Sequence, residues 1–293
     1  MTGAPPLRAI QQLQLGTVCG TATAARRTLA LVVEAGFQGI ELNGFMIRPT
    51  PPLVRALTRA AGMPVGRGGR LDWATLVGES GLTVVGLHED LGAIERDAGA
   101  VVREAARYGT GRVVVPGMYR FAWTDPDAVA ALARRLDAAG ERLADAGLRL
   151  LFHNHNAELR RLPSGRTAYA ELVARTDPAR VGFEFDAYWP AAVGADPRAL
   201  LRGLGERVEL LHVTDRGTRA RGVSLTPIDR ADAVELGDGT MDLVGLLADA
   251  RHAGVAAVIC ETHRNWVDRS PIASLQRSAR FLRAHLPDRQ DAA

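Results

Sequence analysis

The chain alternates between short apolar segments and longer helix-like stretches, and this alternation limits its folds more than any other feature. Apolar runs of four to six residues recur eight times, at residues 13–18, 39–42, 82–87, 112–115, 148–152, 181–185, 208–213 and 256–260. Short apolar runs bounded by glycine or polar residues are typical of buried strands. The sequence therefore predicts eight of them.

The stretches between these runs are rich in alanine, leucine and arginine and carry apolar residues at helical spacing. The clearest lie at residues 24–35, 90–108, 126–146, 169–176, 241–253 and 272–285. Strand and helix alternating eight times predict a (β/α)8 TIM barrel, because crossovers of this length join parallel strands. The alternative is an open doubly wound sheet, but no G-x-G-x-x-G follows an early strand, as a Rossmann domain normally requires.

We expect one barrel domain over residues 1–293, because α/β barrels of about 250 residues fold as single units. The connection between the second and third predicted strands is long for one crossover. Its prolines and glycines divide it into two short helices and a loop, which predicts a lid over the barrel mouth at residues 44–80. The polar tail at residues 287–293 is expected to fray.

All 36 basic residues are arginine, and this excludes several classes of mechanism. Schiff-base aldolases, pyridoxal phosphate enzymes and P-loop nucleotide hydrolases each need a lysine of their own. The formal net charge is only +3, with 33 acidic residues interspersed, so the sequence does not predict a nucleic-acid partner. Only Cys19 and Cys260 are present, too few for a disulfide framework or a cysteine metal motif.

No apolar run approaches the roughly 18 to 20 residues that a membrane helix needs. The first residues also lack the basic and apolar regions of a secretory signal. We therefore expect a cytoplasmic protein with no membrane partner, and the sequence leaves a homo-oligomer open.

Acidic and histidine side chains stand where the predicted strands end. In a parallel barrel these ends meet at one face, where the active site lies. The candidates there are Glu41, Asn43, His88, Glu89, His153, His155, Glu184, Asp186, His212, Glu261 and His263. Core packing disfavours so many unpaired charges, so we expect them to face a shared polar cavity.

The segment His153-Asn154-His155 follows the fifth predicted strand, and Glu158 stands three residues further on. Alternate residues of a strand share a face, so both histidines should point into the barrel. Two imidazoles with a carboxylate nearby can bind a divalent metal or move protons. The spacing leaves open which of the three side chains would be a ligand.

Asp186, His212 and Glu261 predict a site for one divalent metal ion, Mn, Co, Zn or Mg, because mixed oxygen and nitrogen ligands suit these cations. A salt-bridge network at the barrel rim is the alternative, although buried ions are costly unless well paired.

Three further residues are candidates for contact with a substrate. Trp189 can stack on the apolar face of a sugar, and Arg216 and Arg219 can hold an anionic or polyhydroxyl molecule. Plain packing for the tryptophan and solvent exposure for the arginines are the alternatives.

Five segments in order along the chain resemble the xylose-isomerase-like sugar phosphate isomerase/epimerase family. They are Gly36-Phe37-Gln38-Gly39-Ile40-Glu41, His153-Asn154-His155-x-x-Glu158, Asp186-x-x-Trp189, Leu211-His212-Val213-Thr214-Asp215 and Glu235-Leu236-Gly237-Asp238-Gly239. The resemblance covers nearly the whole chain and implies a (β/α)8 barrel with one bound divalent metal, manganese among the candidates. The ligands that it implies are Asp186, His212 and Glu261, with His153 or His155 where many relatives have Glu.

The resemblance also implies an isomerase, epimerase or dehydratase of a small sugar, cyclitol or keto-sugar. Such enzymes abstract a proton next to a metal-bound carbonyl or hydroxyl. We predict His153 as the fourth ligand and His155, Glu158 and Glu261 as the candidate acids and bases. The residues expected to contact the substrate are Glu41, His88, Trp189, Arg216 and Arg219. A non-catalytic barrel of the same fold that binds such a sugar without converting it is the alternative.

Overall fold

A computed structural model of the protein describes residues 5–53, 56, 60, 68–118, 120–219 and 230–286. Its strands are β1 (Leu7–Gln11), β2 (Gly39–Asn43), β3 (Thr83–His88), β4 (Arg112–Val115), β5 (Arg149–His153), β6 (Val181–Asp186), β7 (Val208–Val213), β8 (Asp215–Gly217), β9 (Asp232–Val234) and β10 (Ala257–Cys260). Eight of them close a parallel barrel in the order β1-β10-β7-β6-β5-β4-β3-β2, while β8 and β9 form a separate antiparallel pair. The predicted TIM barrel is confirmed.

The helices surround the barrel and cover the outward side chains of its strands. They are Ala22–Glu34, Gly44–Ile47, Trp73–Ser80, Leu91–Arg96, Ala98–Arg107, Pro126–Ala144, Ala168–Arg175, Tyr188–Ala192, Pro197–Leu204, Leu243–His252 and Pro271–His285. One large apolar core lies between the two layers, with Phe152, Phe183 and Phe185 fully buried in it. None of the described helices combines the length and the apolar composition that crossing a bilayer requires.

The strand predicted at residues 13–18 is wrong. The first barrel strand is β1, and Gln12–Leu15 forms a 3-10 helix at its carboxyl end. A charged residue, Arg8, lies inside β1 and obscured the pattern, yet it is only 5% exposed. Its guanidinium donates to the carbonyl oxygens of Gly36 and Leu286 at 2.9 and 3.0 Å, which satisfies the buried charge with hydrogen bonds.

The helix predicted at residues 90–108 is divided into two at Asp97. The Asp97 side chain accepts a hydrogen bond from the backbone N–H of Ala100 at 2.8 Å and so begins a new helix. The antiparallel pair of β8 and β9 has no counterpart among the predicted elements.

The predicted lid at residues 44–80 lies partly outside the described residues, and the tail at 287–293 lies wholly outside them. Within the described part, the helix Trp73–Ser80 buries Trp73, Leu76 and Val77 in the core around the barrel. Gly44–Ile47 follows directly on β2 at the barrel mouth. The lid stays a prediction.

The barrel interior is built in three layers, and the alternation along β5 gives one residue to each. Arg149 lies at the amino-terminal end, where it and Arg112 both bond the Glu209 carboxylate at 2.7 and 3.0 Å. Leu151 belongs to the middle layer, which is apolar and consists of Ala9, Val85, Val114, Leu151, Leu210, Ala257 and Ile259. His153 belongs to the third layer, at the carboxyl end, which is polar.

Candidate metal centre

The polar layer gathers side chains from most strands of the barrel. Its members are Gln11, Glu41, Asn43, His88, His153, Glu184, Asp186 and His212, with Glu261 directly after β10. Strand alternation places them: Glu184 and Asp186 face inward together, whereas Phe185 between them packs outward. Register then brings neighbours side by side, because His153 pairs with Glu184 and Asp186 with His212.

Four residues that the sequence suggested as ligands converge at the top of this layer. His153 Nε2 lies 3.8 Å from Asp186 Oδ2, and His212 Nδ1 lies 3.0 Å from Glu261 Oε2. Ligand atoms of Asp186, His212 and Glu261 all lie within 4.8 Å of one another. The structure thus brings the predicted ligand set together.

The backbone around Asp186 holds its carboxylate in place. Asn154 and Asp186 exchange two hydrogen bonds of 3.0 Å between the asparagine side chain and the Asp186 backbone. Asp186 Oδ1 accepts from the Tyr188 N–H at 2.8 Å, which leaves Oδ2 directed toward His153. Asn154 thereby joins the end of β6 to the turn after β5.

This donor set fits a divalent cation. Two imidazole nitrogens and two carboxylate oxygens form a mixed set of the kind that zinc and manganese accept. Metal–ligand bonds of about 2.0–2.2 Å place neighbouring ligand atoms roughly 3–4 Å apart, and the measured separations of 3.0 and 3.8 Å lie in that range. Asp186, His212 and Glu261 already lie close enough to share one ion, and His153, which is outside that 4.8 Å group, faces it through Asp186.

Two further carboxylates, Glu41 and Glu184, lie below this set and are fully buried. Glu184 Oε2 lies 2.8 Å from His153 Nδ1 and 2.9 Å from His88 Nε2. Glu41 Oε2 lies 2.7 Å from His212 Nε2 and 3.0 Å from His88 Nε2. Glu41 was predicted to contact the substrate, but its carboxylate is bonded to the histidines underneath. Glu184 was noted only as a strand-end residue.

Gln11 adds a neutral donor and acceptor to the same network. Its Nε2 donates to Glu41 Oε2 at 2.9 Å, and its Oε1 accepts from Asn43 Nδ2 at 2.6 Å. The first strand was predicted at residues 13–18, after Gln11, and so Gln11 was not named as a candidate.

Burial and neighbouring charges set the protonation of the candidate ligands. Burial raises the pKa of the Asp186 carboxyl to about 6. Burial also acts to raise the pKa of Glu261, but the hydrogen bond and charge of His212 outweigh it and lower that pKa to about 2. For His88, burial acts to lower the pKa, while Glu41 and Glu184 raise it to about 10. The polar layer thus carries both signs of charge in close contact.

His155 and Trp189 stand together above the candidate ligands. The His155 ring lies 5.0 Å from the ring of His153 and 5.5 Å from that of Trp189, centroid to centroid. Burial, and next the charge of His153, lower the pKa of His155 to about 3, so its ring is neutral. Gly117 leaves room for it, because a Cβ at that position would lie 2.9 Å from His155 Nδ1.

Glu158 is buried, and its carboxylate accepts a hydrogen bond from the His155 backbone N–H at 3.1 Å. This contact shapes the turn that carries His155. The carboxylate is not among the cavity-lining groups of the described residues. Its predicted role as an acid or base stays a prediction.

A cavity of about 610 Å³ opens over the polar layer. Its wall includes His88, His153, His155, Trp189 and Glu261. Arg48 and Glu89 form an ion pair in the same wall. The volume is sufficient for a small polar molecule such as a monosaccharide.

Arg216 and Arg219 lie outside the lining of this cavity among the described residues. Arg219 pairs with the buried carboxylate of Glu235, and Arg216 lines a separate surface cavity of about 400 Å³. Their contact with a substrate therefore stays a prediction.

Gly86 lies against Glu41, and we expect alanine at this position to lower stability. An added Cβ would lie 2.8 Å from Glu41 Oε1 and 3.2 Å from Leu210 Cδ1. Overpacking of this kind costs about 1–3 kcal/mol, so thermal unfolding should begin at a lower temperature. Gly78→Ala is the matched control, because that helical glycine has nothing within 4 Å of its added Cβ. Equal stability of Gly86→Ala and the unaltered protein would contradict this placement of Glu41.

Comparison with known proteins adds the wider context. A family model described as xylose isomerase-like TIM barrel matches residues 29–285. No protein of curated function matches the chain by sequence.

Solved structures share the fold over nearly their whole length. A sugar phosphate isomerase/epimerase from Parabacteroides distasonis has a TM-score of 0.75 at 20% identity, covering 97% of this chain and 95% of its own. A xylose isomerase-like TIM barrel protein from Mycobacterium smegmatis, in complex with magnesium, has a TM-score of 0.66 at 14% identity, covering 98% of each chain. The 3-keto-D-glucoside 4-epimerase of E. coli has a TM-score of 0.62 at 15% identity, covering 95% of this chain and 99% of its own.

Proposed function

Because the chain belongs to the xylose isomerase-like TIM barrel family, we propose that it is a divalent-metal-dependent isomerase, epimerase or dehydratase of a small sugar, cyclitol or keto-sugar. One observation carries the proposal: His153, Asp186, His212 and Glu261 converge under a cavity of about 610 Å³. The activities in the names of its structural relatives, and the magnesium held by one of them, support it.

The proposed chemistry begins with a substrate carbonyl and its neighbouring hydroxyl at the candidate centre. A divalent cation held there would supply positive charge near these oxygens and so make the adjacent C–H bond more acidic. Glu261, ionised beside His212, lies in the cavity wall, where its carboxylate is our candidate to accept that proton. Delivery of a proton to the other face by a second group, for which His155 is our candidate, would give an epimer. Delivery to the neighbouring carbon, with the hydroxyl proton moving to the former carbonyl oxygen, would give an isomer.

His155 would serve as the second acid or base, and Trp189 would position the substrate. The neutral His155 ring can donate or accept one hydrogen bond, which suits a sugar hydroxyl. Trp189 lines the same cavity beside it and offers an apolar ring to the C–H face of a sugar. His155 follows β5 and Trp189 lies in the short helix Tyr188–Ala192 after β6, so the barrel fixes their distance from the candidate ligands.

We expect deuterium from the solvent to enter a carbon-bound position of the substrate. Protein loaded with Mn²⁺, Co²⁺, Zn²⁺ or Mg²⁺ would be incubated in D₂O with ketoses, inososes and 3-keto-glucosides and followed by mass spectrometry. Exchange with one class, lost after treatment with a chelator, is the expected result. Saturable sugar binding with neither deuterium exchange nor conversion for any class would instead favour the non-catalytic sugar-binding barrel.

A further inference from the structure

We propose that the buried carboxylates Glu184 and Glu41 are positioning residues that orient His153 and His212, so that His153 presents Nε2 and His212 presents Nδ1 to a divalent cation. This inference rests on the metal centre of the proposed function. It goes further, because it assigns the binding atom of each histidine and gives two carboxylates a role.

The orientation of the two histidine rings is the first argument for this positioning role. His153 Nδ1 lies 2.8 Å from Glu184 Oε2, while its Nε2 faces Asp186 Oδ2 at 3.8 Å. His212 Nε2 lies 2.7 Å from Glu41 Oε2, while its Nδ1 lies 3.0 Å from Glu261 Oε2. Each imidazole therefore has one nitrogen on a buried carboxylate and the other among the candidate ligands.

Hydrogen-bond chemistry carries the second step. An ionised carboxylate only accepts, so the nitrogen that faces it must carry the hydrogen. His212 Nδ1 also lies 3.0 Å from a carboxylate, that of Glu261, so a cation would have to displace the hydrogen there while the hydrogen on Nε2 stays bonded to Glu41. Histidine ligands of metals commonly donate their other N–H to a carboxylate in this way, and the carboxylate also raises the basicity of the ring.

The packing around the carboxylates carries the third step. Both are fully buried, and each uses a single oxygen, Oε2, to accept its hydrogen bonds. His88 Nε2 joins them, at 2.9 Å from Glu184 Oε2 and 3.0 Å from Glu41 Oε2. Gln11 holds Glu41 from the other side at 2.9 Å. A carboxylate fixed at several points can in turn fix a ring.

An inner cation position is the competing arrangement. Ligand atoms of His88, His153, Glu184 and His212 also lie within 4.8 Å of one another. A cation there would bind His153 through Nδ1 and His212 through Nε2, which reverses our assignment. Our outer arrangement also uses His153 and His212, so the nitrogen that each ring turns toward the cation distinguishes the two positions.

Zn²⁺ affinity of two isosteric variants, Glu184→Gln and Glu41→Gln, tests the role of the carboxylates. Glutamine keeps the shape of the side chain but removes its negative charge, which weakens the hydrogen bonds that it accepts from the histidine rings. We expect each variant to bind Zn²⁺ about 10 to 100-fold more weakly in a chelator competition. Glu209→Gln is the matched control, because Glu209 bonds Arg112 and Arg149 at the other end of the barrel. It should bind Zn²⁺ as the unaltered protein does.

The tautomers of the histidine rings can be measured in the unaltered protein, so this second test does not depend on whether a variant folds. Long-range proton–nitrogen spectra of ¹⁵N-histidine-labelled, Zn²⁺-loaded protein should show hydrogen on His153 Nδ1 and His212 Nε2. The opposite tautomers would overturn the assignment in favour of the inner position.

The outcomes separate this inference from the proposed function. Tight Zn²⁺ binding by the unaltered protein, unchanged in both variants, would overturn the positioning role alone. Failure of the unaltered protein to bind Zn²⁺, Mn²⁺, Co²⁺ or Mg²⁺ would overturn the metal centre and this inference with it.

Discussion

Asp186→Ala is expected to lower the affinity for a divalent cation by at least about 100-fold, because loss of a group that merely supports a ligand already costs about 10 to 100-fold. The Asp186 carboxylate is held by the Tyr188 N–H through one oxygen and directs the other toward His153. Alanine removes a charged ligand and provides no substitute at the end of β6. His212→Ala should have a comparable effect.

Elemental analysis of protein purified without chelator, with titration of the metal-free form, would measure this effect. The unaltered protein should hold about one cation per chain, and the two variants should lose it. Asp232→Ala is the control, because Asp232 is a carboxylate outside the candidate ligand set whose partner is Arg264. Unchanged occupancy in both Asp186→Ala and His212→Ala would place the cation elsewhere.

His155→Ala is expected to retain the cation and to slow turnover by about 10² to 10⁴-fold, the usual contribution of a positioned acid or base. His155 lines the cavity beside Trp189, and its ring lies 5.0 Å from the ring of His153. His153→Ala should instead lose the cation, since its Nε2 faces Asp186 Oδ2. Substitution of His153 should thus affect mainly the binding of the metal, and substitution of His155 mainly the conversion of the substrate.

Metal titrations and turnover of both variants, with whichever sugar shows deuterium exchange, decide between these roles. Tight binding in His153→Ala together with lost binding in His155→Ala would reverse them. Retained binding in both variants would point to Glu158 as the fourth ligand, although its carboxylate now bonds the His155 backbone.

The sequence was sufficient to predict the barrel, because its strands and helices differ in period and alternate throughout. It also grouped His153, Asp186, His212 and Glu261 as one candidate set, since each lies within one residue of a strand end. Which nitrogen of a histidine faces a metal depends on its neighbour across the barrel. That neighbour follows from register, and β6 and β7 shift register between Phe183 and Glu184. The spacing of residues along one strand does not reveal such a shift between two strands.

The misplaced first strand has a related cause. Arg8 made β1 look exposed, and the carbonyl oxygens of Gly36 and Leu286, 28 and 278 residues away in sequence, accept hydrogen bonds from its buried guanidinium. Gln11 was lost with that strand, although it is the closest polar neighbour of Glu41 from β1. Both Arg8 and Gln11 are buried with hydrogen bonds to residues far away in sequence, which the local pattern does not show.

The apolar middle layer of the barrel turns the candidate centre into a well with a closed bottom. Ala9, Val85, Val114, Leu151, Leu210, Ala257 and Ile259 fill the barrel below the polar layer, and all seven are buried. Substrate, product and exchanging protons would therefore share one entrance. A sugar seated there would narrow the route by which a captured proton reaches bulk water, which slows the exchange of that proton with solvent deuterium. Deuterium uptake per turnover would then report how long the bound sugar closes the well.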